Sequence, residues 1–167
     1  MKCDASMFAQ LYETVYQDLY RFALCLMKNG HDAEDAVSEA VVSAYENIGK
    51  LRKAEAFKSW IFTILANVCR KRLRKEAEKQ KNQQPFDTYW EEAQEQPDYG
   101  LALDVRQAFF VLEEEEQLVI GLSVFGGYNS GEIGAMLKLN ASTVRSKRKR
   151  ALEKMECVLD NVIRVKG

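Results

Sequence analysis

Apolar residues recur every three or four positions through most of this chain, and this period constrains the fold more than any other feature. It is the period of one face of an α-helix. The repeat runs from Phe8 to Leu26, from Ala33 to Ile48 and from Phe57 to Leu73, and it returns between Leu101 and about Val162. No segment alternates apolar and polar residues long enough to indicate a β-strand. The sequence therefore predicts an all-α protein.

The stripes also predict helix ends and buried faces. Asn29 and Gly30 end the first helix, and Asp32 is placed to cap the second. Tyr45 joins the buried stripe of the second helix. The stripe of the third helix consists of Phe57, Trp60, Ile61, Ile64, Leu65, Val68 and Leu73. Membership in that stripe favours core packing of Trp60 over stacking on a ligand.

Both prolines, Pro85 and Pro97, lie in the one stretch that lacks the helical period, Lys81 to Gly100. This stretch is rich in Gln and acids, which is typical of a linker. A chain of 167 residues can hold two small domains. We therefore expect two small helical domains, residues 1–80 and 101–167, joined by an acidic linker over 81–100. A disordered tether with no further role is the alternative for the linker.

Residues that carry enzyme chemistry are scarce. His31 is the only histidine, and the four cysteines, Cys3, Cys25, Cys69 and Cys157, form no C-x-x-C pair. Free thiols are therefore favoured over a disulfide framework or a zinc site. No nucleophile elbow, phosphate-binding glycine loop or H-E-x-x-H motif is present. We expect a protein that is not an enzyme, with no cofactor, no metal and no small-molecule substrate.

No apolar run in the sequence approaches the ~18 residues of a membrane-spanning helix. The N-terminal residues MKCDASMF lack the apolar core of a signal peptide. The expected location is the cytoplasm.

A helix-turn-helix is indicated near the C-terminus. Asn129 is a good N-cap, and Glu132 three residues later completes a capping box. Residues 138–140 form a short turn, after which Asn140 can cap a second helix that buries Val144. Two short helices, a tight turn and a buried residue early in the second helix describe this motif.

Positive charge is concentrated in the second helix of the motif. Lys and Arg fill six of the ten positions from Arg145 to Lys154, against the single acid Glu153. In such a motif the second helix lies in the DNA major groove, where Lys and Arg donate to guanine and Ser and Thr read more permissively. The predicted DNA contacts are Ser142, Thr143, Arg145, Ser146, Lys147, Lys149 and Arg150. A basic surface helix in a small bundle is the alternative.

Charge is segregated along the chain, although the formal net charge is only -1. Residues 50–81 carry eleven Lys and Arg against three Glu, a net charge of +8. Residues 83–116 carry ten acids against one Arg, a net charge of -9. Charge runs are commonly solvated faces, but three blocks of alternating sign on different elements favour a polyanionic partner.

A family resemblance rests on two long segments. Residues 128–155, YNSGEIGAMLKLNASTVRSKRKRALEKM, are similar to sigma region 4. Residues 19–51 and 57–75, LYRFALCLMKNGHDAEDAVSEAVVSAYENIGKL and FKSWIFTILANVCRKRLRK, resemble sigma region 2, in which the pairing of DAED with W-I-F-x-I-x-x-N is the more specific signal. The chain thus resembles the extracytoplasmic-function (ECF) sigma factors, the small two-domain class of bacterial RNA polymerase sigma subunits.

The resemblance implies that the DAED helix docks on the clamp helices of core RNA polymerase. The polar face of this helix, opposite the stripe of Val37, Val41 and Ala44, is partly acidic and suits a basic partner. The residues implied to bind polymerase are Asp32, Glu34, Asp35, Ser38 and Glu39. Stabilisation of the helix start by its acids is a compatible alternative.

The resemblance also implies that the third helix binds the minus-ten promoter element, and that the loop before it, residues 49–57, receives a flipped base. The residues implied to contact this single strand are Lys50, Arg52, Lys53, Ser59, Thr63, Asn67, Arg70 and Arg74. The acidic linker is implied to thread through polymerase toward the active-site cleft. The expected partners are core RNA polymerase, promoter DNA and an anti-sigma factor.

Four residues depart from the family pattern. Glu113 and Glu114 stand where proline is common, Lys138 replaces the usual turn glycine, and Arg148 replaces a leucine or isoleucine. The promoter sequence is therefore not carried over from the family.

The predicted function is that of an ECF-type sigma factor, which binds core polymerase and directs promoter recognition and transcription initiation. The alternative is a helix-turn-helix regulator that binds duplex DNA without docking on polymerase. A third possibility is a helical protein that binds only other proteins. The DAED helix and the acidic linker favour the first, because a simple repressor needs neither.

Overall fold

The computed structural model describes residues 4–82 and 103–166. The chain divides into two compact units, residues 1–95 and 96–167. Both are helical, and the described ranges contain no strand, which confirms the predicted all-α fold. The predicted linker lies outside the described residues except for positions 81 and 82, which belong to a helix.

The first unit consists of three long helices, α1 (Ala5–Leu26), α2 (Gly30–Glu46) and α3 (Phe57–Asn82). Two short 3-10 turns, Ile48–Lys50 and Ala54–Ala56, connect α2 to α3. Each of the three helices packs against the other two.

The start of α2 differs from the prediction that Asp32 caps it. The cap is Asn29, whose Oδ1 accepts a hydrogen bond from the backbone N–H of Asp32 at 2.7 Å. Asn29 Nδ2 in turn donates to Asp32 Oδ2 at 2.9 Å. The helix begins at Gly30, so Asp32 falls in its first turn, where a carboxylate favours the positive end of the helix dipole.

The core of the first unit is formed by large residues of α1 and α3 against small residues of α2. Phe22 meets Phe62 edge to face, with 5.8 Å between ring centroids. The inner face of α2 consists of Ala33, Ala36, Val37, Ala40 and Ala44, all buried. These short side chains let α2 approach its neighbours closely.

The buried face of α3 is rotated relative to the predicted stripe. Phe62, Ala66 and Cys69 are fully buried, whereas Trp60 and Ile64 are half-buried. Between positions 57 and 69, α3 is apolar around more than half of its circumference. Periodicity alone therefore does not fix which side of this helix meets the core.

The second unit consists of α4 (Leu103–Phe110), α5 (Glu114–Val124), α6 (Ser130–Leu137) and α7 (Ala141–Lys166). The long α7 packs against all three other helices. The buried residues that hold this unit together include Phe109, Leu118, Val119, Leu122, Ile133, Leu137, Val144 and Ala151. Gly126 and Gly127 follow α5, and Gly127 adopts a left-handed φ of 72° that favours glycine.

Candidate nucleic-acid interface

The helix-turn-helix predicted from the sequence is formed by α6 and α7. Asn129 Oδ1 accepts from the backbone N–H of Glu132 at 2.9 Å, and Glu132 Oε1 accepts from the backbone N–H of Asn129 at 3.0 Å. This reciprocal pair is the predicted capping box. At the start of α7 the carbonyl of Asn140 accepts from the backbone N–H of Val144 at 3.0 Å, and Val144 is fully buried as predicted.

The turn between the two helices is a close backbone contact. Lys138 has a φ of 60°, the left-handed conformation that glycine adopts most easily. The backbone N–H of Leu139 donates to the carbonyl of Gly134 at 2.8 Å. A Cβ atom on Gly134 would lie 2.5 Å from the Leu139 carbonyl oxygen. A larger residue at position 134 would therefore force the backbone of the turn to shift, a constraint that sequence reasoning missed.

The outward side of α7 carries most of the residues predicted to contact DNA. The exposed members of this set are Ser142, Arg145, Ser146, Lys149 and Arg150. Thr143 and Lys147 are half-buried. The structure thus brings the predicted set together on one helix but does not turn every member outward.

Lys147 is held by an acid of α5. Its Nζ lies 3.5 Å from Glu115 Oε1, and the two side chains are 17% and 31% exposed. Sequence reasoning did not find this pair, because the two residues lie far apart in the chain. The assignment of Lys147 to DNA stays a prediction, and its ammonium group already has a partner within the protein.

A second acid of α5 holds a second lysine of α7. Lys154 Nζ donates to Glu116 Oε1 at 2.8 Å, and the same oxygen accepts from the backbone N–H of Glu113 at 2.9 Å. Burial acts to raise the pKa of the Glu116 carboxyl, but these hydrogen bonds and the charges of Lys154 and Arg150 outweigh it, and the pKa falls below its ordinary value. Glu116 is therefore an ionised anchor, 3% exposed, beneath α7.

Arg148 replaces the leucine or isoleucine that is common in the family. It lies four residues after Val144 and is half-buried on the inner flank of α7. Its Nε is buried without a hydrogen-bond partner among the described residues. Arg148 is thus not on the outward face that carries Arg145 and Lys149.

A second cationic surface lies on α3 and the segment before it. Lys50, Arg52 and Lys53 are exposed between α2 and α3. On the side of α3 away from the core, Asn67 and Arg74 are exposed, and Ser59, Thr63 and Arg70 are half-buried. The structure therefore places these predicted residues on one face and the loop next to it.

The hydroxyl groups on this face bond to the helix itself. Thr63 Oγ1 donates to the Ser59 carbonyl at 2.7 Å, and Ser59 Oγ donates to the Ala56 carbonyl at 3.2 Å. Trp60 lies at the edge of the same face, with its ring centroid 6.2 Å from that of Phe57. Its half-buried position is less enclosed than the predicted core packing.

An acidic face runs along α2. Glu34, Asp35, Ser38 and Glu39 are exposed on it, and Asp32 is half-buried at the helix start. His31 Nε2 lies 3.6 Å from Asp35 Oδ2. Four of the five residues implied to bind polymerase are therefore accessible.

The same face continues into two apolar side chains. Val42 is 57% exposed and Tyr45 is 50% exposed. The prediction that Tyr45 lies in the buried stripe is wrong: its ring meets Phe8 edge to face at 5.4 Å and leaves half of its surface outside. The acids that share this face of α2 could have signalled that Tyr45 is exposed.

The described residues contain cysteines but no cluster of metal ligands. No group of three or more His, Cys, Asp or Glu among them could hold a metal ion. Cys25 and Cys69 are buried, and burial raises the pKa of the Cys69 thiol to about 12. No described helix is both long enough and apolar enough to span a membrane.

Two family models match the chain, Sigma-70 region 2 over residues 11–79 and Sigma-70 region 4 over residues 108–156. The ECF RNA polymerase sigma factor SigM of Mycobacterium tuberculosis is 28% identical over 156 residues, covering 93% of this chain and 79% of the relative. The RNA polymerase sigma factor SigV of Bacillus subtilis is 29% identical over 143 residues, covering 86% of this chain and 85% of the relative.

Two solved structures share the fold. The sigma factor RpoE of Bartonella quintana, in complex with the anti-sigma factor NepR, gives a TM-score of 0.74 at 23% identity and covers 92% of this chain and 96% of that chain. CnrH, in complex with the cytosolic domain of CnrY, gives 0.69 at 22% identity and covers 95% of this chain and 90% of that chain.

Proposed function

We propose that the two helical units of this chain bind two different promoter elements while core polymerase holds both units in place. The premise is that the chain belongs to the ECF group of the sigma-70 family and acts in promoter recognition and transcription initiation. The observation that carries this proposal is the presence of a cationic surface on each unit, one on α3 and one on α7. A regulator with one helix-turn-helix needs only the cationic surface on α7.

The α7 surface is assigned to the minus-thirty-five element. Arg145 and Lys149 can donate to guanine O6 and N7 in the major groove, and Ser142 and Ser146 can accept or donate. Arg150 and Thr143 are assigned to phosphates at the margins. Two observations support this assignment. The backbone contact at Gly134 fixes the turn before α7, and the exposed residues are Ser142, Arg145, Ser146, Lys149 and Arg150.

The α3 surface is assigned to the minus-ten element as a single strand. Arg74, Arg70 and Asn67 would follow the strand backbone, while Lys50, Arg52 and Lys53 line the loop that accepts a flipped base. The half-buried indole of Trp60 borders this face and adds a stacking surface. Ser59 and Thr63 contribute less, because their hydroxyls bond to backbone carbonyls.

The acidic face of α2 is assigned to core polymerase. Glu34, Asp35, Ser38 and Glu39 suit a basic partner, and the adjoining Val42 and Tyr45 supply apolar area that an interface centre needs. The exposed pair extends the residue set implied by the family resemblance.

Catalysis in this proposal belongs to polymerase, and the chain acts in the cytoplasm as a specificity subunit. The similar proteins RpoE and CnrH have been solved with NepR and CnrY. By that similarity we assign this chain an anti-sigma factor as its inhibitory partner.

The test combines the purified full chain with bacterial core polymerase and a library of promoters. We expect promoter-dependent transcripts whose templates share two sequence elements, and co-purification of the chain with core. A matched control is the chain with Arg70, Arg74 and Asn67 changed to alanine, which should keep core binding and lose promoter opening. Tight binding of one duplex without polymerase, with no transcript, would instead identify a helix-turn-helix regulator.

A further inference from the structure

We propose that Glu115 is a specificity-determining positioning residue, which keeps Lys147 on the flank of α7 and so withholds that lysine from base reading. This inference rests on the proposed function of α7 as the DNA-reading helix. It concerns a residue on α5, outside the helix-turn-helix.

Lys147 and Glu115 form an ion pair in which the lysine is largely enclosed. Lys147 Nζ lies 3.5 Å from Glu115 Oε1, and the lysine side chain is only 17% exposed. The two residues that precede it differ, since Arg145 and Ser146 are exposed. Lysine is normally among the most exposed residue types, so a lysine side chain this deeply enclosed requires a partner of opposite charge.

The second pair shows why the lysine is held on one flank. Lys147 and Lys154 are seven residues apart, two turns of helix, and therefore lie on the same side of α7. Glu115 and Glu116 are adjacent in the first turn of α5. The buried Glu116 fixes the rotation of α7 through Lys154 at 2.8 Å, and the less buried Glu115 then determines where the lysine nearer the DNA points.

The residues of α7 therefore have different roles. The outward face is left to Ser142, Arg145, Ser146 and Lys149, while Lys147 would have to break an ion pair to reach a base. A lysine released from its carboxylate can donate to guanine O6 and N7, which adds a preference at one base pair. The identity of residue 115 therefore tunes what α7 reads without altering any outward side chain.

The promoter experiment compares the wild-type chain, Glu115→Gln, Lys147→Ala and the double variant, each with core polymerase and a library randomised in the minus-thirty-five element. We expect Glu115→Gln to enrich guanine at one position by about fivefold or more, the lower bound for one base contact. In the Lys147→Ala background the same substitution should change nothing. A purely structural role for Glu115 would instead weaken all sequences equally.

A second measurement needs no DNA. Amine-reactive labelling of the free chain, followed by mass spectrometry, reports the accessibility of each lysine. We expect Glu115→Gln to raise the labelling rate of Lys147 by about two- to fivefold, the range for a partly exposed ion pair, with exposed Lys149 unchanged as the control. Thermal melting checks that the variant is folded.

The outcomes separate the two proposals. If the wild-type chain selects no promoter element with core polymerase, the proposed function and this inference both fail. If the wild type selects an element and Glu115→Gln selects the same one, or alters it equally in the Lys147→Ala background, only the role of Glu115 is overturned. Unchanged labelling of Lys147 in Glu115→Gln would also overturn it.

Discussion

Arg72 Nη2 donates to Glu39 Oε1 at 2.9 Å and so ties α3, the helix with the cationic face, to the acidic face of α2. Both side chains are partly exposed, so water screens the pair. We expect Glu39→Gln to lower the free energy of unfolding by at most about 1 kcal/mol. Chemical denaturation measures this, and Glu34→Gln, at an exposed position of the same helix, is the control. A larger loss for the control would contradict a role for the ion pair.

Asp35→Arg should weaken binding to core polymerase while leaving the fold intact. Asp35 is exposed in the middle of the acidic face, and a like charge placed against a basic partner costs several kcal/mol, that is about a hundredfold or more in affinity. Titration of labelled chain with core measures the loss. Glu13→Arg on α1 makes the same charge change at another exposed site and should bind normally. An unchanged affinity for Asp35→Arg would remove α2 from the docking surface.

Lys138→Gly should stabilise the second unit. The left-handed φ of 60° costs an ordinary L-residue about 1 kcal/mol that glycine avoids. We expect a gain of about that size in the free energy of unfolding, measured by denaturation of the full chain. Lys138→Ala removes the same side chain but keeps the strain, so it should give no gain. Equal stabilisation by both variants would point to the charge rather than the backbone.

Arg145→Ala should weaken minus-thirty-five binding by about 1–3 kcal/mol and relax the preference at one base pair. Arg150→Ala, at the residue proposed to contact phosphate, should weaken all promoters alike and make binding less dependent on salt. Competition between promoter variants with reconstituted holoenzyme distinguishes the two. Arg21→Ala, exposed on α1, is the control. A sequence-independent loss for Arg145→Ala would assign that residue to phosphate.

The Glu116 anchor should make the second unit sensitive to acid. Its pKa is lowered in the folded chain, from an ordinary value of 4.5, chiefly because the bonds from Lys154 and Glu113 outweigh burial. A lowered folded-state pKa means that the carboxylate stabilises the fold fully above that ordinary value and loses this contribution as the pH falls through the folded-state pKa. The stability difference between wild type and Glu116→Gln should therefore shrink below about pH 4.5. Denaturation at pH 7 and in acid measures it, and a constant difference would contradict the ionised anchor.

Local signals allowed the helix-turn-helix to be predicted in detail. The capping box at Asn129 and Glu132, the position of the turn and the burial of Val144 all depend on residues within a few positions of one another. The N-cap of α2 was predicted wrongly because Asn29 and Asp32 are both good caps. Which of the two caps the helix depends on where the helix starts.

Features set by packing between distant residues were not predictable. The inner side of α3 depends on what α1 and α2 leave to be filled, so Phe62 was missed and Trp60 was placed too deep. The exposure of Tyr45 and the capture of Lys147 by Glu115 likewise depend on neighbouring helices. A single sequence contains these residues but not their pairing.

The contact between Gly134 and the carbonyl of Leu139 joins main chain to main chain, so the angle between α6 and α7 does not depend on the side chains of the outward face of α7. Ser142, Arg145, Ser146 and Lys149 can thus be exchanged without repacking the unit. Under the proposed function, new promoter preferences can then arise among descendants of one ancestral gene by single substitutions on this outward face.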